Sequence, residues 1–337
     1  MIGPQRAVLG ERRWRFVHGP IDVVLQADGE PDACAAAFDD AWQVFGAILP
    51  ALVRDLPLLR RPLPTALAAI RAAGAGRGAT SAPLQTEATA ATEETDAKAA
   101  TEVTDATAAA SSATGRAMIA ACAPLAIRFG VYLTPMAAVA GAVADTLIRP
   151  FARPGITRAA ANNGGDIALW LAPGACFEVG IVADVVSGTP AGRFAIAGDD
   201  PVRGIATSGW RGRSLSLGIA DSATVLAIDG ARADAAATLV ANAVTLDADD
   251  RRVLRAPASS VRDDSDLGDL PVTVGVAGLD AQSIDRALAS GLACARRLQE
   301  DSFIVAAAIA LAGQWRILAP AGSDRALGVT RRARPMP

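Results

Sequence analysis

Between Thr80 and Thr114 the chain reads TSAPLQTEATAATEETDAKAATEVTDATAAASSAT, almost only alanine, threonine, serine, glutamate and aspartate, with no aromatic residue. A segment of this kind cannot bury enough apolar surface to offset its conformational entropy. It reads as a disordered insert, with a helical spacer as the alternative because alanine favours helix. The fold must then be built from what flanks it: residues 1–79 and 115–325 as two parts of one domain, with a flexible tail over 326–337. Of the 337 residues 78 are alanine and only 4% are aromatic, so the 51% hydrophobic fraction overstates the large side chains available for a core.

Two scarcities narrow the chemistry. Lys98 is the sole lysine and His18 the sole histidine, and the net charge is −3. A multi-histidine metal site is thereby excluded. An electrostatic nucleic-acid binder is also disfavoured, because that affinity comes from Lys and Arg neutralising phosphates. Cys34, Cys122, Cys176 and Cys294 are scattered with no Cys-x-x-Cys pair, which argues against a zinc ribbon or dithiol motif and for buried reduced thiols. The first twenty residues hold no apolar h-region, and the longest apolar run, Met136 to Ile148, is too short for a span and contains Asp145. The expectation is a soluble cytoplasmic protein with a small-molecule ligand, no nucleic acid and no membrane partner, and room for homo-oligomers.

Patterning supplies the elements. Ile21, Val23 and Leu25 alternate with Asp22, Val24 and Gln26, so Trp14 to Val17 and Ile21 to Ala27 read as strands joined through His18-Gly19-Pro20. Phe38, Trp42, Phe45, Leu49, Leu52 and Leu56 form the apolar stripe of a helix, kinked or restarted at Pro50. Arg116 to Leu125 is a short helix, and Thr134-Pro135 opens another as N-cap and first turn. From Ile156 to Ile228 the pattern is of antiparallel strands, including Leu215, Leu217 and Ile219. Helices at Ala233 to Val244 and Ala281 to Leu298, a strand at Val272 to Val276, and a closing hairpin from Phe303 to Ala319 complete an α+β chain.

Three constellations could carry chemistry. In Asn162-Asn163-Gly164-Gly165-Asp166 the glycines permit crowded backbone and the amides and carboxylate can face a flat polar ligand; an ordinary hairpin turn is the alternative. In Gly204-Ile205-Ala206-Thr207-Ser208-Gly209-Trp210-Arg211-Gly212-Arg213-Ser214 the glycines flanking Thr and Ser favour a nest of N–H groups, which with two arginines would suit a phosphate or carboxylate; an exposed solvated loop is the alternative. Asp234, Thr238 and Asn242 lie four apart on one helix stripe, where Asp234 and Thr238 offer hard oxygens to Mg²⁺ unless the stripe merely faces water. His18 and Asp166 are the candidate general acid or base, each with a structural role as its alternative. Asp145, alone in an apolar helix, needs a partner, and a salt bridge is favoured over a site role.

The segments HGPIDVV, TPMAAVAGAVAD, NNGGDIAL, GIATSGWRGRSLSLGIADSATVLA, ADAAATLVANAV and SDLGD, in this order, resemble the UPF0280 family of ApbE-like proteins. That family is distantly similar to the ApbE flavin transferases. The resemblance implies a T-fold-like α+β architecture of antiparallel sheets with packed helices. It implies that Gly164, Gly165 and Asp166 match the Gly-Gly-Asp turn, and Thr207, Ser208 and Gly209 the Thr-Ser-Gly element. Asp234-Ala235-Ala236-Ala237-Thr238 matches the Asp-Ala-x-x-Thr metal helix, so Mg²⁺ and FAD or another flavin or pterin become the expected cofactors. The stretch LGIADSAT carries no histidine where the transferases have one. The reading is therefore a Mg²⁺-dependent enzyme acting on a flavin, pterin or other phosphorylated heteroaromatic compound. FAD:protein FMN transfer and a non-catalytic ligand-binding or assembly module are the alternatives.

Overall fold

Alternation in the N-terminal part is carried straight into a sheet. Strand β2 (Arg13–His18) and strand β3 (Ile21–Gly29) pair in antiparallel register, Phe16 opposite Val23 and His18 opposite Ile21. Phe16, Ile21, Val23, Leu25 and Ala27 are buried on one face, while Arg15, Asp22, Val24 and Gln26 lie on the other. A computed structural model describes residues 3–63, 90–184 and 189–321 of the chain. The expectation of a flexible tail over 326–337 and the part of the expected insert before residue 90 lie outside the described residues, as does the rest of 64–89.

Strand β1 (Gln5–Gly10) precedes this pair, exposed throughout and with no alternation to announce it. Helix α1 (Pro31–Leu59) follows and runs through Pro50 and Pro57 as one element, where the sequence suggested a kink or restart. Its stripe of Phe38, Phe45, Ile48 and Leu52 packs on the sheet, with Trp14 stacked on Phe38 at 5.0 Å and Phe16 against Phe45 at 5.2 Å. By length and composition α1 alone among the described helices could cross a membrane; its apolar stripe lies in the protein core.

The Ala/Thr/Glu-rich segment corrects the expectation of a disordered insert over its described part. Residues Ala90–Ala109 form helix α2, and Val103 and Ala106 pack against the core, so the helical alternative holds there. Residues 111–114 belong to the domain itself. Asp55, 6% exposed, accepts hydrogen bonds from the backbone N–H groups of Ser111 and Ser112 (3.0 Å each) and from their hydroxyls (2.6 and 2.8 Å). Ser112 then caps helix α3 (Ala113–Phe129) by accepting from Gly115 N. Burial raises the Asp55 carboxyl, but these four bonds outweigh it and leave the group below its ordinary value. Its contribution is present above the unfolded carboxylate value and is lost as pH falls through the folded one. Asp55→Ala should cost about 2–4 kcal/mol at neutral pH in urea denaturation, because four donors lose one acceptor. A loss below about 1 kcal/mol would show that water replaces the carboxylate.

A short 3₁₀ turn (Pro135–Ala138) leads into helix α4 (Val139–Ile148). Then come β4 (Ile156–Asn163), β5 (Asp166–Leu171), β6 (Cys176–Asp184), β7 (Thr189–Ala197), β8 (Gly204–Ser208) and β9 (Ser222–Ala227). Helix α5 (Gly230–Ala243), strand β10 (Val253–Pro257), the one-turn helix α6 (Ala258–Val261) and β11 (Pro271–Val276) follow. Helix α7 (Ala281–Glu300) and the hairpin of β12 (Ala306–Leu311) and β13 (Gln314–Leu318) close the fold. The main sheet has nine antiparallel strands in the order β1-β2-β3-β4-β5-β8-β9-β12-β13. Two strands, helices and two strands occur twice in succession, first as β2-β3 to β4-β5 and then as β8-β9 to β12-β13.

The large core lies between one face of this sheet and helices α1, α3, α4, α5 and α7. A smaller core on the outer face joins Leu169, Ile205 and Leu226 of the sheet to Phe194 and Ile196 of the β6–β7 hairpin. The hairpin reaches Arg158 and Ala160 of β4, and among the described residues it does not extend over the outer face of β2 and β3. Leu215 to Ile219 is not a strand: the loop is held by Asn242, whose Oδ1 accepts from Leu217 N (2.9 Å) and Ser216 Oγ (3.1 Å). Cys34 and Cys122 are buried as expected, whereas Cys176 is exposed.

Candidate functional site

Register brings the sequence motifs to one end of the sheet. Ile167 pairs with Ile205, which sets the Gly164-Gly165 turn beside Thr207 and Ser208 at the last rung of β8. The turn closes on itself, Asn162 Oδ1 accepting from Gly165 N at 2.8 Å. Gly164 has φ +72°, a left-handed conformation that favours glycine, and the Arg213 guanidinium lies against it. The neighbouring Asn163 is buried and donates to the Ala140 carbonyl at 3.1 Å, tying the sheet end to the start of α4.

Helices α4 and α5 meet behind this turn through two matching pentapeptides, Gly141-Ala142-Val143-Ala144-Asp145 and Gly230-Ala231-Arg232-Ala233-Asp234. Each glycine lies in the first turn of its helix, and each aspartate reaches the other helix. Asp145 accepts from Gly230 N and Ala231 N (2.8 Å each), while Asp234 Oδ2 accepts from Gly141 N at 3.0 Å. Backbone approaches backbone at the crossing: a Cβ at Gly141 would strike the Gly230 carbonyl, and one at Gly230 would lie 2.9 Å from the Gly141 carbonyl. The partner of Asp145 is thus a pair of orphan helix N–H groups and not the salt bridge expected.

The same crossing places Asp234 within electrostatic reach of Asp166. Asp166 Oδ1 accepts from Thr207 N at 3.2 Å. Burial pushes the Asp166 carboxyl up to about 6, opposed by that bond and by the Arg213 guanidinium. Asp234 is held well above the carboxylate range, first by burial and then by the Asp166 charge. Asp145 is pushed up to about 6, chiefly by burial. No Lys or Arg is ion-paired to Asp234 or Asp166 among the described residues. Thr238, one turn beyond Asp234 and partly exposed, continues the stripe towards Asn242 and the loop that it holds.

This donor set fits a hard cation. Two mutually repelling carboxylates and a hydroxyl are oxygen ligands of the kind Mg²⁺ takes while keeping several waters. No group of three or more His, Cys, Asp or Glu side chains converges among the described residues, so a cation here would rest on Asp234, Thr238 and Asp166 with water completing the shell.

Other expected site residues are placed elsewhere. Thr207 shares the outer face with Ile205, and its hydroxyl pairs with that of Thr224 at 2.8 Å, so only its backbone N–H meets Asp166. Ser208 is half-buried at the strand end; Gly209 is pressed against the Asp221 carbonyl. Arg211 pairs with Asp221 (3.2 Å) and lies over the Trp210 ring at 4.8 Å, whereas Ser214 is exposed. His18 is buried with its ring 6.1 Å from that of Phe45 and its Nδ1 without a partner. It lies on β2, three strand spacings or about 14 Å across the sheet from Asp166, and the two are not brought together.

The sequence pattern gives Thr134 an N-cap role, but its side chain makes no cap hydrogen bond, and it gives Asp266 no role. The Thr134 hydroxyl donates to the Asp266 carboxylate, and Tyr132 donates to the Asp266 carbonyl at 2.7 Å, so the TPM segment is sewn to SDLGD. Cys122, its thiol raised by burial, feels both Asp234 and Asp266, which sets this rim next to the carboxylate cleft. The signal was present as two of the resembling segments, with no chemistry to assign them a role.

The chain is thus an α+β protein whose nine-stranded antiparallel sheet carries the Gly-Gly-Asp turn near the helix of Asp234 and Thr238. A family model described as AbpE bacteria matches residues 5–92 and 86–317. A UPF0280 protein of Methanothrix thermoacetophila is 41% identical over 121 residues, 35% of this chain and 48% of that relative. One of Methanocorpusculum labreanum is 34% identical over 137 residues, 40% of this chain and 57% of that relative. The chain belongs to the UPF0280 family of ApbE-like proteins, and it spans about half the length of the curated relatives it matches.

Proposed function

We propose that this protein is a Mg²⁺-dependent enzyme acting on a flavin, pterin or other phosphorylated heteroaromatic compound. The observation that carries the reading is the buried pair Asp166 and Asp234, from turn and helix, with the Asp166 charge felt at Asp234 and no cationic side chain ion-paired to Asp234 among the described residues. Two helix-and-strand units in succession support a T-fold-like frame for it. Asp234 and Thr238 would hold the cation and Asp166 would share it. Mg²⁺ bound there supplies a Lewis acid for a phosphoryl or carbonyl oxygen. In the metal-free protein Asp166 is pushed up to about 6 and can hold a proton at the sheet end, and the Thr207 N–H fixes its orientation.

Titration calorimetry tests the metal. Mg²⁺ should bind the purified protein, and Asp234→Ala should weaken it at least about tenfold. Unchanged affinity in that variant would sink the metal role, and absence of binding by Mg²⁺, flavins and pterins alike would favour a non-catalytic module. The retained Asp-Ala-x-x-Thr helix also keeps FMN transfer as the second reading. It requires AMP release from FAD and a covalent flavin on a threonine-bearing acceptor.

A further inference from the structure

Beside the β6–β7 hairpin, whose core packs on Ala160 and Ile167, the outer face of β2, β3 and β4 forms a trough of about 620 Å³. Its floor is apolar and low, made by Val24, Ala160 and Ile167, and Gly164 and Gly165 end it without side chains. Its walls are polar. Arg13, opposite Gln26, stands at one end, and at the other Arg213 reaches the Gly164 turn. From Gln26 to Asp22 the strand covers four residues, about 13 Å.

The charges are unequal. Asp22 is neutralised locally by Arg15, which donates to it twice at 2.8 and 2.6 Å. Arg13 and Arg213 have no carboxylate partner among the described residues, and Arg213 acts on both Asp22 and Asp166 from between them. The Arg13 guanidinium therefore lines one end of the trough, the Arg213 guanidinium lies against the Gly164 turn that closes the other, and a largely apolar floor lies between. Guanidinium groups take carboxylate or phosphate as forked acceptors. A cavity of this size matches a small molecule.

We infer that this trough is a binding site for an elongated, flat compound with an anionic group at each end, one held by Arg13 and the other by Arg213 at the Gly164 turn. The site deepens the proposed function, resting on it only for which end reacts: the Arg213 end adjoins the carboxylate cleft. Carboxylate and phosphate ends share the same recognition chemistry, and the two are separated by the competitor used.

Calorimetry in the presence of a chelator tests the trough without metal. Naphthalene-2,6-dicarboxylate should bind the full-length protein about fivefold or more tighter than 2-naphthoate, which keeps the flat ring and loses one anion. Arg13→Gln and Arg213→Gln should each remove that preference, while Arg149→Gln, an exposed arginine elsewhere, should keep it. Displacement by a phosphorylated ring compound and not by its carboxylated analogue assigns the phosphate source, and the converse assigns the carboxylate. Equal binding of the two naphthalenes, no binding of either, or a preference surviving both arginine variants overturns the inference. Lost preference with intact Mg²⁺ binding overturns the trough alone; intact preference with no Mg²⁺ binding overturns the metal reading alone.

Discussion

Gly141→Ala should cost more than about 3 kcal/mol and leave little folded protein at physiological temperature. The added methyl would occupy the place of the Gly230 carbonyl, and neither atom belongs to a movable side chain. Two backbones must part, which strips Gly141 N from Asp234 and Gly230 N from Asp145 together. Gly230→Ala meets the Gly141 carbonyl at 2.9 Å and the Asp145 carboxylate at 3.0 Å, so it should be clearly milder. Urea midpoints of the two variants check the ranking, and a Gly141→Ala protein as stable as Gly230→Ala would contradict the crossing described.

The second large effect runs the other way: Asp234→Asn should be more stable than the parent at about pH 7.5, by on the order of 2 kcal/mol. Asp234 and Asp166 both have folded values above the unfolded 3.8. Groups shifted upward bind protons more tightly in the folded state, so their contribution is complete below the unfolded value and is lost as pH rises through the folded one. At neutral pH they therefore oppose folding. An amide keeps the acceptor for Gly141 N and removes the repulsion. The gain should vanish near pH 4, where the carboxyls are protonated, and Mg²⁺ should stabilise the parent but not the variant. Denaturation at the two pH values in chelator, then with Mg²⁺, measures all three. A variant less stable than the parent at the higher pH would show that the Asp234 charge is compensated. Asp55 and Asp22, shifted downward, have the opposite dependence, but they are common to both proteins and cancel in the difference.

Much of the sheet was legible because alternation is a local signal. Phe16, Val23 and Leu25 announce their strands, and β1 was missed because QRAVLG is exposed on both faces. Helix α2 escaped because propensity and core packing gave opposite indications for an alanine-rich segment; Val103 and Ala106 supply the packing. Of the site, the turn and the metal-helix spacing were legible as chemistry. Their convergence was not, since it depends on which strands pair and where α5 crosses α4. Arg211 and Arg213 show the limit plainly: two residues apart with the same side chain, one turns to Asp221 and the other to the Gly164 turn. Thr207 was half legible, because its parity with Ile205 already puts its hydroxyl on the outer face.

The paired pentapeptides have a consequence for what lengths the chain tolerates. Each helix offers its glycine N–H to the partner and takes the partner's with an aspartate one turn later, so four residues of phase serve two contacts at once. Adding or deleting one residue between Gly141 and Asp145 turns one relative to the other by about 100°. The crossing can then be kept or the reach to Gly230 can be kept, but not both. A single-residue length change between the glycine and the aspartate of either helix is thus felt at Asp234 and its neighbour Asp166, however conservative its composition.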